Sequence, residues 1–407
     1  MVTTNRSKIT ANGNGRLYAH IVGWGKALPA TIMTNADLAA FVETTDEWIV
    51  ARTGIRERRI ASETETTATL GLEAARRALE IADIMPDEIE MVVVATSTPD
   101  HIFPSTASLI QAGLGANRAG AFDLSAACSG FVYAVSMAAQ AIQSGSIKTA
   151  VVIGSETMSR VMDWQDRGTC ILFGDGAGAV VLRASHDEGG VLASVLRSDG
   201  TGGDLLGIPS VGTLDYVGDD ISLPEAHGHK LNKMHMNGSE VYKFATRVIA
   251  ESVLQVLEKA GLSLRDVKLI VPHQANLRII NAAARALKVD ESLFMCNLDR
   301  YGNTSAASIP IALVEAVEQG LIQRGDPVVF VGFGGGLTWA SMVVRWGAPT
   351  IDGQLRFKRQ RRALTYAMAR FRSRVTRMNH QMNDTIRRAR PEQGRVDRLR
   401  ERVKKLP

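Results

Sequence analysis

The chain repeats itself, and the repeat limits what it can fold into. Ser125-Ala126-Ala127-Cys128 returns as Ser305-Ala306-Ala307-Ser308, an offset of 180. The run MVVVA at 91–95 lines up with LIVPH at 269–273, and Gly154 answers Gly332, both at an offset of 178. Each half therefore reads as strand, helix, Ser-Ala-Ala corner, helix, strand. MVVVAT (91–96), TAVVIG (149–154) and PVVFVG (327–332) are short, β-branched runs suited to buried strands. Residues 130–144 carry Phe131, Val135, Ala138 and Ile142 at helical spacing, with Gly145 placed as a C-cap. The alternation predicts an α/β fold in which helices cover sheets. Two halves related by duplication bring their equivalent corners face to face at the junction.

Chemistry concentrates at the corner that holds Cys128. The run Ala121-Phe122-Asp123-Leu124 predicts a strand before it and residues 130–144 a helix after it. That sets the thiol against the positive end of a helix, where a thiol's pKa is lowered. His273 follows a predicted strand in VPHQAN, and Asn303 lies in YGNTS, a turn ahead of a helix. Singly, each has a plain structural reading: a small core Cys, a satisfied His, a turn Asn. The repeat draws the strand end with His273 and both Ser-Ala-Ala corners towards one place. Cys128, Cys170 and Cys296 are odd in number and widely spaced, which favours free thiols in a reducing cytoplasm.

Other features exclude function classes. No apolar run is long enough for a membrane span, and residues 1–15 are a polar, Gly/Asn-rich lead-in without a signal-like apolar core. Residues 350–407 hold 18 Lys/Arg against 5 Asp/Glu, a balance of +13; the remaining 29 basic and 37 acidic residues leave 1–349 at −8. The basic pI thus belongs to the tail, and nucleic acid is not an expected partner of the body. Gly174-Asp175-Gly176-Ala177-Gly178 is spaced like a dinucleotide fingerprint, but it sits between CILF and AVVL and reads as a hairpin. GFGGG also leads into a strand, so no nicotinamide cofactor is implied. For His227, His229 and His235 no acidic or Cys ligand completes a recognisable metal-site spacing.

Six stretches carry a family resemblance: TTDEWIVARTGIRER (44–58), DLSAACSGF (123–131), DRGTCILFGDGAGAVVL (166–182), VPHQANLRII (271–280), YGNTSAAS (301–308) and GFGGGLTWASMVVRW (332–346). In this order they resemble β-ketoacyl-acyl-carrier-protein synthase III, a condensing enzyme of the thiolase superfamily, over about residues 16 to 347. The resemblance implies a thiolase-like fold, two duplicated α/β halves in a layered α-β-α-β-α arrangement, with the halves at 16–185 and 186–349. It also implies decarboxylative Claisen condensation of an acyl-CoA primer with malonyl-acyl carrier protein, initiating fatty-acid synthesis. Acyl-CoA is then a substrate, and no resident cofactor or metal is implied. Cys128 would carry the acyl group, with the backbone N–H groups of Cys128 and Gly335 as oxyanion hole. His273 and Asn303 would stabilise the charge that develops on the malonyl thioester oxygen. Trp48, Arg52, Arg167 and Asn276 match coenzyme A contacts, Arg278 and Lys243 carrier-protein contacts. Phe103 matches the residue lent to a partner's acyl pocket, implying a cytoplasmic homodimer. A related ketosynthase or acyltransferase of secondary metabolism is the near alternative. A papain-like hydrolase shares the order Cys, His, Asn and a Cys-to-His gap of 145, but AACSGF and the 127 residues before the thiol oppose it. A non-catalytic binding module would not need the three residues together.

Residues 350–407 have no counterpart in that resemblance. Leu364, Met368, Phe371, Val375, Met378 and Met382 recur at spacings of 4, 3, 4, 3 and 4, an apolar stripe on a basic amphipathic helix. Pro391 and Gly394 end it, and Val396, Leu399, Val403 and Leu406 begin a second stripe. The pattern favours burial of the stripe against the acidic body or a dimer partner. Peripheral contact with an anionic membrane surface and recruitment of acidic carrier protein are the other uses. The loop at 200–236, with its acidic stretch at 215–220, is a candidate for tuning the acyl chain.

Overall fold

The computed structural model describes residues 15–209 and 232–347, and in the tail residues 362, 364–369, 371, 375, 378 and 382. The 215–220 stretch, His227, His229 and the second tail stripe lie outside the described residues. In chain order the strands are β1 (Tyr18–Ala27), β2 (Thr31–Thr34), β3 (Glu57–Ile60), β4 (Met91–Ala95), β5 (Gly120–Leu124), β6 (Thr149–Thr157), β7 (Asp175–Ser185), β8 (Gly190–Ser198), β9 (Leu206–Gly207), β10 (His235–Met236), β11 (Leu269–Pro272), β12 (Pro327–Gly334) and β13 (Thr338–Arg345). The helices are α1 (Asn35–Ala39), α2 (Asp46–Thr53), α3 (Thr67–Ala82), α4 (Thr106–Leu114), α5 (Gly130–Gln143), α6 (Gly238–Ala260), α7 (Leu277–Leu287), α8 (Leu298–Tyr301) and α9 (Ser308–Glu318).

Two sheets organise the body, one ordered β1-β7-β6-β4-β5 and the other β11-β12-β13-β8. In each, parallel pairing at the β5 or β11 end gives way to antiparallel pairing towards β1 or β8. Strands buried on both faces must be apolar throughout, which is why β4, β6 and β12 are continuous Val-rich runs rather than alternating ones. α5 and α9 lie between the sheets, with Phe131, Val135, Ile309 and Leu313 meeting Val152, Val328 and Phe330 in one core. α3 and α4 cover the outer face of the first sheet, α6 and α7 that of the second. The thiolase-like arrangement is thus five layers, helix-sheet-helix-sheet-helix.

The central elements of the two halves correspond at one offset. β4 at 91 answers β11 at 269, the turn 127–129 answers 305–307, α5 at 130 answers α9 at 308, and β6 at 149 answers β12 at 327, each 178 residues on. This corrects the offset of 180 between the Ser-Ala-Ala tetrapeptides. Cys128 is equivalent to Ala306, and Ser308 to Gly130. Ala127 and Ser305, equivalent at 178, share the same unusual backbone, with φ of 45° and 48°. A second correction concerns 174–178. It is not a hairpin: β7 runs unbroken from Asp175, and Gly178 abuts Pro310 of α9.

Two glycines explain how closely the halves approach. A Cβ on Gly154 would fall 2.2 Å from the Ala306 carbonyl oxygen. A Cβ on Gly332, its equivalent, would fall 3.1 Å from the Cys128 carbonyl oxygen. Each half therefore seats the other's corner against a glycine on its own central strand.

The described tail positions are helical, and they reverse the expectation about the stripe. Arg362 and Tyr366 are buried, at 1% and 7% exposure. Arg362 donates to Asp83 Oδ1 at 2.9 Å, Arg76 stacks on the Tyr366 ring at 4.9 Å, and Ala369 packs beside Gly115. The six stripe residues are instead 36–71% exposed. The helix docks by the opposite face.

Gly154→Ala is expected to destabilise the protein by about 3 kcal/mol or more, since backbone and not a flexible side chain must move. Gly120→Ala, with nothing within 4 Å, is expected to change the melting temperature little. Equal shifts for the two variants would refute the seating of Ala306 on Gly154.

Candidate active site

Cys128 lies in the short turn between β5 and α5, fixed by the left-handed backbone of Ala127 before it. His273 continues β11, its N–H donating to Val331 O at 2.8 Å, so the sheet ladder sets where the ring begins. Its Nδ1 meets Ser308 Oγ at 2.6 Å, and the ring stands edge-on to Phe333 with centroids 5.2 Å apart. Asn303 is held by the 172–174 segment: its N–H donates to Leu172 O at 2.8 Å and its carbonyl accepts from Gly174 at 3.0 Å. Its side-chain Oδ1 accepts from the Ser305 N–H at 2.8 Å, which leaves the NH2 end for a ligand. All three side chains are buried, and all three line one cavity of about 850 Å³. Of the three cysteines, only Cys128 lines it. Gly335 lines it as well.

Trp48, Arg52, Arg167, Asn276 and Arg278 line the same cavity at its more exposed end. Trp48 and Arg52 sit one turn apart on α2, with the guanidinium 4.3 Å from the ring centroid. Arg167 approaches the same ring at 5.2 Å and donates to Glu43 O at 3.0 Å. Asn276 ties α7 to α2 by donating to Arg52 O at 3.0 Å, and it caps α7 through the Arg278 N–H. Arg278 lies over Tyr242 at 5.5 Å. Lys243 and Phe103 are outside the lining: Lys243 pairs with Glu240 at 2.7 Å, and Phe103 is 85% exposed.

Known proteins share this arrangement. Residues 122–200 match the family 3-oxoacyl-[acyl-carrier-protein (ACP)] synthase III, and residues 257–346 match its C-terminal family. The β-ketoacyl-[acyl-carrier-protein] synthase III of Clostridium acetobutylicum is 49% identical over 326 residues, 80% of this chain and 98% of the relative. The chain belongs to the β-ketoacyl-acyl-carrier-protein synthase III family. The crystal structure of the Aquifex aeolicus 3-oxoacyl-[acyl-carrier-protein] synthase III superimposes with a TM-score of 0.74 at 45% identity, covering 81% of this chain and all of that one. A priming β-ketosynthase from a polyketide biosynthetic pathway superimposes at 0.76 with 37% identity, covering 84% of this chain and all of that one.

Several residues that shape this synthase III site escaped sequence reasoning. Ser308 holds the His273 ring, yet it drew notice only as a copy of Cys128. Ser305 Oγ is 3.5 Å from Cys128 Sγ. Arg58 is fully buried and donates to Asn35 Oδ1 and to Ile171 O, bracing the segment that holds Asn303; burial lowers its pKa to about 10, so it stays charged at neutral pH. Glu156, also fully buried, accepts from Thr96, Ser97, Thr98 and Ala306. None of these leaves a signal in spacing or period, because each acts on partners distant along the chain.

The helix end does not decide the state of the thiol. Burial pushes Cys128 up to about 12; its hydrogen bond with Ser305 opposes the rise, and the Glu156 carboxylate adds to it. A helix terminus contributes up to about 2 kcal/mol, and desolvation of a fully enclosed thiolate outweighs that. Burial likewise lowers His273 to about 3, so the imidazole is neutral across the working range. A His in an unfolded chain takes a proton below about 6.5. The unfolded state therefore binds more protons between 6.5 and 3, and this share of stability is complete above 6.5 and falls as pH drops. His273→Gln is expected to lose about 2 kcal/mol less than wild type between about pH 7.5 and pH 5. Urea midpoints at the two pH values measure it; parallel losses would mean that His273 is not buried neutral.

Proposed function

We propose that the chain condenses an acyl-CoA primer with malonyl-acyl carrier protein through an acyl-Cys128 intermediate, initiating fatty-acid synthesis. One observation carries this reading: Cys128, His273 and Asn303 share the buried end of a cavity whose open end is lined by Trp48, Arg52 and Arg167. In the first half-reaction Cys128 Sγ attacks the primer's thioester carbonyl, and coenzyme A leaves with the thiol proton. The thiol is neutral at rest, so its deprotonation belongs to the step in which substrate fills the cavity.

The duplication supplies a reason why one corner is reactive and the other is not. Ala306 N–H donates to the Glu156 carboxylate at 3.4 Å. Cys128 N–H occupies the equivalent position, and the residue equivalent to Glu156 is Gly334, where a Cβ would fall 2.7 Å from the Cys128 nitrogen. Lacking a side chain there, the protein leaves that N–H open to an oxyanion, with the Gly335 N–H as its companion. In the second half-reaction the malonyl carboxylate leaves as carbon dioxide, and its electrons move onto the thioester oxygen. Ser308 Oγ lies 2.6 Å from His273 Nδ1 and accepts from the Gln274 N–H at 3.4 Å; with the Ser308 hydroxyl donating to Nδ1, Nε2 is the N–H donor. Nε2–H and the Asn303 NH2 stabilise the developing oxyanion. The enolate carbon then attacks the acyl carbonyl, and Cys128 thiolate departs.

Trp48, Arg52, Arg167 and Asn276 are the coenzyme A contacts in this reading. A base inserted between Trp48 and Arg167 needs about 7 Å, so Arg167 must retreat by roughly 2 Å from its place over the ring. Arg278 and Lys243 suit an acidic carrier protein. A homodimer fits β5, an edge strand beside β4 alone that exposes Phe122, and fits the exposed Ile102 and Phe103. Three free thiols fit a cytoplasmic setting. The likeness to a polyketide priming ketosynthase keeps open a secondary-metabolic primer with the same chemistry.

Incubation with acetyl-CoA, followed by intact mass, is expected to show one acetyl group on wild type, Cys170→Ala and Cys296→Ala, and none on Cys128→Ala. His273→Ala and Asn303→Ala are expected to keep acylation within about tenfold but to slow release of carbon dioxide from malonyl carrier protein by 100-fold or more, on the order of one lost oxyanion donor. An equal fall in both half-reactions would sink the division of roles. Arg167→Ala is expected to raise KM for acyl-CoA about tenfold, the weight of one stacked cationic contact, with KM for malonyl carrier protein unchanged. Equal changes in the two constants would remove this site from the account.

A further inference from the structure

The tail helix has two faces two residues out of phase. Arg362, Tyr366 and Ala369 face the body; Leu364, Met368 and Phe371 follow the same 4-3 spacing from a start two residues later, about 200° around a helix. The second set continues through Val375, Met378 and Met382. All six are helical and exposed. Six large apolar side chains in one exposed row are more than isolated surface hydrophobics explain.

Charge identifies what covers the row. Between 364 and 382 the sequence holds Arg370, Arg372, Arg374 and Arg377 and no Asp or Glu. A second copy of this helix would bring like charges together. The acidic body attracts the helix, but it is already engaged through Asp83 on the other face. What remains is an anionic surface that also accepts apolar side chains without a matched groove. We propose that this stripe is a docking surface for an anionic lipid bilayer, holding the enzyme at a membrane face with the helix lying in the interface. Apolar insertion and Arg–phosphate attraction then act together, the combination that peripheral helices need for stable binding. The ion pair of Arg362 with Asp83 and the packing of Tyr366 fix the helix to the outer layer, so the body comes to the surface in one orientation.

The test uses full-length protein in co-flotation with phosphatidylcholine vesicles, with and without phosphatidylglycerol. Flotation is expected only with phosphatidylglycerol and is expected to weaken as salt rises. The triple variant Met368→Glu, Phe371→Glu, Met378→Glu is expected to lose at least about tenfold of the bound fraction while keeping wild-type condensation of soluble substrates. Absence of flotation, or equal flotation by the variant, would overturn the proposal. So would a larger oligomer by light scattering that the variant dissolves, which would assign the stripe to a second copy. Weaker carrier-protein binding by the variant with flotation unchanged would assign it to the carrier protein instead.

Discussion

The close seating of each half's corner on a glycine of the other half is the contact on which the rest depends. Gly154 receives Ala306 and Gly332 receives Cys128, at distances that a methyl group would make impossible or tight. Because the contact is backbone against strand, no side-chain rearrangement can relieve a misfit. The central helices α5 and α9 follow directly from these corners, so the seating also fixes the packing of Phe131, Ile309 and Phe330 in the shared core. Close approach at one point thereby sets a whole layer.

Duplication makes a symmetric frame, and the candidate site lies where that symmetry is broken. The two corners share their strained backbone at Ala127 and Ser305, a cost retained at both sites. They differ in what faces the N–H group that follows. On one side a buried carboxylate, Glu156, accepts from Ala306 and from the 96–98 turn, tying the halves together with a group whose pKa burial raises. On the other side Gly334 leaves the space open, and the equivalent of Ala306 is a cysteine. One corner is satisfied internally and holds the structure; the other keeps an unfilled donor beside a thiol.

Burial then governs the electrostatics. The same enclosure that raises the thiol lowers the imidazole, since each is pushed towards its neutral form. A resting ion pair between them is disfavoured, which suits an imidazole that donates a hydrogen bond rather than one that removes the thiol proton. Ser308 matters here because its hydroxyl, 2.6 Å from Nδ1, holds the ring in place.

Much of this was legible in the sequence. Val-rich runs with no polar alternation can only be strands covered on both faces, so the α/β class followed from β4, β6 and β12. Cys128, His273 and Asn303 were legible as well, because their local contexts are long and occur in one order. The register of the corners was not. Two of the three matches already stand at 178, but Ser-Ala-Ala recurs at 180, and the paired left-handed residues Ala127 and Ser305 show that the corners follow 178 as well. Residues 174–178 looked like a turn by glycine content, yet the glycines are there to let α9 approach a continuous strand. The heptad-like stripe determined that the tail is an amphipathic helix; it could not say which face docks. That was decided by Asp83, Arg76 and Gly115, residues about 250 to 290 positions away in the chain, because an ion pair, a stacked ring and a small-residue contact bury the face that carries the fewer apolar groups. Period and composition are properties of neighbours along the chain. Registry, burial and the pKa values that follow from burial belong to neighbours in space.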